Sequence, residues 1–286
     1  MKKVFLLMCL MATATFVSAT DLWEGNHAVD WSNTLTIEAA KFSEAQVGQK
    51  IVIEFTNATG EVIELHSNGG MLPGTRYAHF LYEDQHSMEV FITPGMLARL
   101  KESGMEICGK GFTVTKAWYG DGKDNVDDNT VWTGYFWMDS WSTLEVAKTS
   151  FEGINWSDYN AIRFYSEAGR TNYIINVLTK WGDDGKLGDQ STMTMTNEFA
   201  ELNIENIDMA AKLADVDRLM VQCNKEDGEP FNFTAIVLVK KAVTGVHNIS
   251  VHPSSCTSEV VYNLAGQKVR NSLKGLYIVN GKKVIK

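Results

Sequence analysis

The side chains of this sequence best placed to do chemistry are tryptophans and carboxylates, not nucleophiles or metal ligands. No HExxH, CxxC, GxSxG or GxxxxGK pattern occurs. The histidines, His27, His66, His79, His86, His247 and His252, are scattered, with no cysteine or acidic residue at metal-ligand spacing. Glu24, Asp30, Glu54 and Glu64 supply carboxylates, but glycoside hydrolysis needs two of them facing across a cleft. The acidic stretch Gly120–Asn129, GDGKDNVDDN, departs from a calcium-binding loop because Gly122 and Lys123 fall where ligands and the turn glycine belong. It reads as a solvated linker. No cofactor is expected, with a structural calcium ion as the alternative.

The tryptophans point to a different chemistry. Trp181 stands in KWGDDGKLGDQS, a polar, Gly-rich loop with little core to reach. Trp31 lies between Asp30 and Ser32, and Trp141 between Ser140 and Ser142. An exposed indole covers the C–H face of a pyranose ring while neighbouring polar groups bond its hydroxyls. The expected carbohydrate-binding residues are therefore Trp31, Arg76, Tyr77, Trp141 and Trp181. Gln85 in the first half, with Asp183, Lys186 and Gln190 in the second, would supply further hydrogen bonds.

These residues sit on a duplication. LWEGNHAVDWSNTLTI at Leu22–Ile37 returns as VWTGYFWMDSWSTLEV at Val131–Val146. Trp23 aligns with Trp132, Gly25 with Gly134, Leu35 with Leu144, Phe42 with Phe151, Ile53 with Ile162 and Phe55 with Phe164. In the second copy Glu24 becomes Thr133 and Glu64 falls near Tyr173, so the candidate carboxylates do not recur and a non-enzymatic role is favoured. Trp23 and Trp132, each beside its glycine, are expected in the core. Strand-length apolar runs alternate with turns, and one short helix is signalled in each copy, at Pro94–Leu100 and Asp208–Leu213. No crossover helices are present to build an α/β fold.

The expected fold is all-β: two tandem jelly-roll-like β-sandwich domains and a short C-terminal β segment. Its parts are a signal peptide at 1–19, a first module at 20–119, a linker at 120–130, a second module at 131–241 and a C-terminal segment at 242–286. Met1–Ala19 has the basic start, apolar run and small-residue end of a signal peptide. A net charge of −9 disfavours nucleic acid and anionic membranes, and 8 tryptophans favour a neutral partner instead. No later stretch is apolar enough to span a bilayer. Cys108 and Cys223 are expected at equivalent places in the two copies, reduced and buried.

LWEGNHAVDWSNTLTI followed by GMEICGKGFTVTKA resembles the non-catalytic β-sandwich modules of polysaccharide-degrading systems in gut Bacteroidetes. The tail VVYNLAGQKVRNSLKGLYIVNGKKVIK resembles the C-terminal sorting region of secreted Bacteroidetes proteins. The resemblance implies a secreted or cell-surface protein whose two modules grip one neutral polysaccharide or oligosaccharide, with the C-terminal segment engaging secretion machinery. The alternatives are a structural or adhesive surface protein with a protein partner, and a glycoside-active enzyme.

Overall fold

The structure, a computed structural model, describes residues 19–123, 126–139, 141–167, 175–187, 199–223 and 230–242, and beyond them the backbone of four short strands. The expected signal peptide falls almost wholly outside the described residues. Two compact units result, residues 1–241 and 242–286.

The first half of the larger unit holds nine strands. They are β1 (Thr20–Val29), β2 (Leu35–Ile37), β3 (Lys50–Thr56), β4 (Val62–Ser67), β5 (Gly70–Met71), β6 (His79–Phe80), β7 (Ser87–Phe91), β8 (Met105–Gly109) and β9 (Phe112–Gly120). The second half holds β10 (Thr130–Met138), β11 (Thr143–Ala147), β12 (Tyr159–Ser166), β13 (Ile175–Leu178), β14 (Phe199–Asn203), β15 (Arg218–Cys223) and β16 (Phe231–Lys240). One sheet runs β1-β9-β3-β7 and a second runs β2-β8-β4-β5, with β6 also on β4. In the second half the orders are β10-β16-β12-β14 and β11-β15-β13. All the pairings are antiparallel.

Each half has its own apolar core. Phe42, Ile51, Ile53, Phe55, Ile63, Leu65, Met96 and Ile107 are sealed in the first. Trp132, Leu144, Val146, Ile162, Phe164, Ile175, Phe233 and Ile236 are sealed in the second. The aligned pairs Phe42/Phe151, Ile53/Ile162 and Phe55/Phe164 are all core residues, which accounts for their recurrence. The Trp-x-Gly signature has an equally local cause. A Cβ at Gly25 would lie 2.8 Å from the Trp23 ring, and one at Gly134 would lie 2.9 Å from the Trp132 ring. The indole folds over the glycine two residues on, and no larger residue fits beneath it. Trp132 is buried, as expected, whereas Trp23 is only partly buried against its core.

The helices are α1 (Pro94–Ser103) and α2 (Met209–Ala214). Thr93 caps α1 by accepting from the Met96 N–H at 3.3 Å, with Pro94 in the first turn, where it loses no helical hydrogen bond. Asp208 caps α2 in the same way, accepting from the Ala211 N–H at 3.0 Å. Gly104 ends α1 at φ 73°, and a side chain there would strike the Ile37 carbonyl.

The expectation of two tandem jelly-roll-like β-sandwich domains is corrected by this arrangement. The fold is all-β, but residues 1–241 form one unit of four sheets, and its halves are not self-contained modules. Among the described residues the sheets have four, five, four and three strands. The three-stranded sheet is extended by the other half. Tyr77 N–H donates to the Glu145 carbonyl at 2.8 Å and Ala147 N–H to the Thr75 carbonyl at 3.2 Å, around an antiparallel bridge of Arg76 with Val146. Thr75–Tyr77 thus covers the free edge of β11. Ala78, at φ 49°, turns the chain back so that His79 can pair with Ile63 in the first half.

The predicted linker is also built into the unit. Lys123 N–H donates to the Gly48 carbonyl at 2.7 Å, and its ammonium donates to the Gly134 carbonyl at 2.7 Å. The same ammonium lies 4.0 Å from the Tyr135 ring and 4.8 Å from the Phe91 ring. One residue therefore ties 48, 91 and 134–135 together, its backbone bonding Gly48 and its side chain the rest. Asp124 and Asn125, central to the calcium alternative, lie outside the described residues. Among those described, no group of three or more His, Cys, Asp or Glu is placed to hold a metal.

The smaller unit contains β17 (Val261–Tyr262), β18 (Lys268–Val269), β19 (Leu276–Val279) and β20 (Lys282–Ile285), in the sheet order β18-β17-β19-β20. The expected strands Leu276–Val279 and Lys283–Ile285 lie in it.

Candidate functional site

The strand β15 gives the site its frame. Register places Arg218 opposite Ala147 at one end and Cys223 opposite Ile175 at the other. Five residues of strand separate those ends, about 17 Å.

At the Arg218 end, three elements meet. The Arg218 guanidinium lies 4.5 Å over the Tyr77 ring, and its Nε donates to a Glu145 carboxylate oxygen at 3.0 Å. Beyond β13, Gly182 at φ 100° starts a short 3-10 turn, Asp183–Gly185, which presents Trp181 with 55% of its surface exposed. Lys180 pairs with Asp184 and Lys186 with Asp183, at 2.5 and 2.7 Å, so both flanks of Trp181 are pinned. The Lys180 charge and hydrogen bond hold the Asp184 carboxyl below its usual range. Trp181 and Arg218 line a shallow cavity of about 190 Å³ with Thr179, Lys180, Asp217 and Met220. The result is an aromatic face beside donors and acceptors already fixed by ion pairs.

Trp141 lies at the opposite end of β15. Its backbone N–H donates to the Cys223 carbonyl at 2.8 Å, and the residue is 56% exposed. Its φ is 66°, a left-handed conformation costly for a bulky residue. Trp31 holds the corresponding turn of the first half, 57% exposed and in an ordinary conformation. There Asp30 accepts from both the Ser32 N–H at 2.7 Å and the Ser32 hydroxyl at 2.6 Å. Those bonds lower the Asp30 pKa.

Of the residues predicted to bind sugar, Trp181 lines the Arg218 cavity, whereas Tyr77 lies under the Arg218 guanidinium and is not part of the lining. Arg76 is adjacent in sequence but does not share the groove: its guanidinium stacks 4.5 Å over Phe136, largely buried. Trp31 and Trp141 occupy turns outside this groove. Asp183 and Lys186 are committed to each other, Gln85 donates to the Ser87 carbonyl at 2.8 Å in the first half, and Gln190 lies outside the described residues. Sequence reasoning missed Arg218, Glu145 and Asp217. Nothing local marks Arg218 as a partner of Tyr77, because the crossing that joins them is a tertiary event.

Other aromatics are accounted for by packing. Trp118 donates its indole N–H to Glu54 at 3.0 Å, and Trp156 stacks on the core residue Phe151 at 6.2 Å. Trp137, 59% exposed, stands on β10 opposite Asn232.

Cys108 and Cys223 are both buried, but they are not at equivalent positions. Leu35 pairs with Ile107, whereas its counterpart Leu144 pairs with Val221. Cys108 therefore corresponds to Gln222, one residue before Cys223. A one-residue step reverses the face of a strand. Cys223 joins the core, while Cys108 lies outside it near Glu64 and Glu106, where burial and those charges push its thiol up to about 11.

No family profile matches this sequence. No curated protein matches it either. Among solved structures, a Bacteroides ovatus surface protein from a mixed-linkage glucan utilization locus, SGBP-B, in complex with a mixed-linkage heptasaccharide, is 18% identical, with TM-score 0.32. That match covers 35% of this chain and 28% of the other, so it spans under a third of that protein's length. The major capsid protein P2 of bacteriophage PM2 is 11% identical over 80% of this chain and 99% of its own, with TM-score 0.24. A secreted protein of Parabacteroides distasonis is 8% identical over 79% and 88%, with TM-score 0.23. At these scores none establishes a fold shared with this chain, and the resemblance to Bacteroidetes sandwich modules is corrected accordingly: no family match carries it, and the four-sheet unit does not divide into such modules. Among the described residues, no helix is long and apolar enough to cross a membrane.

Proposed function

We propose that this protein binds a neutral saccharide, without transforming it, in the groove lined by Trp181, Arg218, Thr179 and Asp217. The expectation that two separate modules grip one saccharide is set aside because residues 1–241 form one unit, crossed by the Thr75–Tyr77 segment. The observation that carries the reading is the exposed Trp181 indole beside a cavity edged by Thr179, Asp217 and Arg218. An indole face suits the C–H side of a pyranose, and the polar edge suits its hydroxyls. The Arg218–Glu145 pair matters here because it fixes the guanidinium before any ligand arrives, which lowers the ordering cost of binding. Export would place such a groove in reach of polymeric glycans.

The test is a glycan array followed by calorimetry with the intact chain. A stacking tryptophan contributes roughly 1–3 kcal/mol, so Trp181→Ala should weaken binding by about 5- to 150-fold. Its thermal midpoint should stay close to that of the wild type. Normal affinity in folded W181A, or no retained glycan on the array, would refute the reading.

A further inference from the structure

A second cavity, of about 60 Å³, lies between the halves on the Arg76 side of the Thr75–Tyr77 crossing. Its polar lining comes from Thr75, Arg76, His79, Glu89, Thr133 and Tyr135, over an apolar floor drawn from both cores. Most of these groups are already engaged. The Thr75 hydroxyl donates to the Leu72 carbonyl at 2.6 Å and the Thr133 hydroxyl to the Thr234 carbonyl at 3.1 Å. Glu89 is held by Lys50 at 2.7 Å.

Arg76 stands apart. Among the described residues no carboxylate forms an ion pair with it, and Glu145, the acid that acts on it at a distance, is bonded by Arg218. Desolvation works against its charge, and a buried cation without a counter-ion is costly. Stacking on Phe136 occupies the guanidinium face but leaves its in-plane N–H groups available. His79 lines the same cavity, and burial with the Arg76 charge lowers its pKa to about 4. A neutral imidazole still keeps one N–H to donate. The volume has room for about two waters, or for the one carboxylate that would displace them. A sugar ring does not fit.

We propose that this cavity binds a carboxylate group, taken by the in-plane N–H donors of Arg76 with the His79 ring beside it. The site is separate from the Trp181 groove and does not depend on sugar binding there. An occupant would also bridge the halves, since the cavity draws on residues 63–90 and on 132–135.

The experiment titrates sodium acetate into the full chain at constant ionic strength, with sodium chloride as the exchanged salt. The thermal midpoint should rise with the logarithm of acetate concentration once that exceeds Kd, by ~5 °C near a hundredfold excess over Kd. Arg76→Gln should abolish the rise beyond chloride, while Arg99→Gln, which removes an outer pair with Glu152, should keep it. Sodium glucuronate in a parallel arm separates the sources: a rise with both salts means the cavity takes the carboxylate of a sugar acid, and a rise with acetate alone restricts it to small free carboxylates. Equal responses in wild type and R76Q, or no rise beyond chloride, would overturn the proposal. Should R76Q fail to fold, the His79 ring resonances of the wild type decide: a saturable shift with acetate supports the site, and unmoved resonances overturn it.

Discussion

The two halves of residues 1–241 descend from one pattern but close themselves differently. The first half extends its second sheet with its own short strands, β5 and β6, on β4. The second half has three strands in the corresponding sheet among the described residues, and its β11 edge is covered by Thr75–Tyr77 from the first. An open edge exposes unpaired N–H and C=O groups and invites aggregation. Here the neighbour supplies the cover. Duplication has therefore produced a dependent pair, in which Tyr77 of the first half lies under Arg218, a residue that lines the Trp181 groove of the second.

The largest effect should come from dividing the pair. A polypeptide of residues 126–241 loses the Thr75–Tyr77 cover and the Lys123 tie, and should show no cooperative urea transition, whereas residues 19–241 should unfold in one. A sharp transition in the isolated second half would show that the crossing is an accessory. Within the intact chain, Tyr77→Pro removes the donor to Glu145 and should cost about 2–3 kcal/mol by urea denaturation.

Next in size is the glycine beneath each indole. Gly134→Ala drives a methyl into a fully buried Trp132 and should cost about 2–3 kcal/mol, while Gly25→Ala meets a Trp23 that can swing outward and should cost about 1 kcal/mol. Equal losses would mean that Trp23 is as tightly held as Trp132.

The junction also has a pH signature. Burial lowers the Lys123 pKa to about 8 from 10.5. The unfolded chain binds that proton more tightly, so the Lys123 contribution is present above pH 10.5 and is lost as pH falls through about 8. His79, lowered to about 4 from 6.5, acts in the acid range: its contribution is present above pH 6.5 and is lost as pH falls through about 4. Lys123→Met should flatten the alkaline limb of a urea-midpoint profile and leave the acid limb. An unchanged alkaline limb would remove Lys123 as its cause.

The smallest effect compares the two turn tryptophans. Trp31→Ala should change stability by no more than ~0.5 kcal/mol, as expected of a surface site. Trp141→Gly should stabilise by about 1 kcal/mol, because glycine adopts φ 66° freely. A loss on W141G would show that the indole makes packing contacts worth more than the strain.

Much of the local structure was legible in the chain. Alternating apolar runs marked β3, β4, β7 and β12, and the recurring Phe and Ile positions marked the cores, because core burial constrains each position separately. Pro94 and Asp208 marked both helix starts, since the first turn is decided locally. Trp181 was readable as exposed from its polar, Gly-rich surroundings.

What the sequence could not decide was the relation between the halves. Arg76 and Tyr77 are neighbours with similar prospects as ligand contacts, yet alternation along an extended segment sends one into a buried cavity and the other beneath Arg218. The cysteines looked equivalent until register put them one residue apart and on opposite faces. Lys123 looked solvated, but it is half-buried, with its ammonium against the Phe91 and Tyr135 rings. Each of these depends on which edge is left open and which segment fills it. That choice is made by contacts between residues far apart in the chain, and no window of sequence contains both partners.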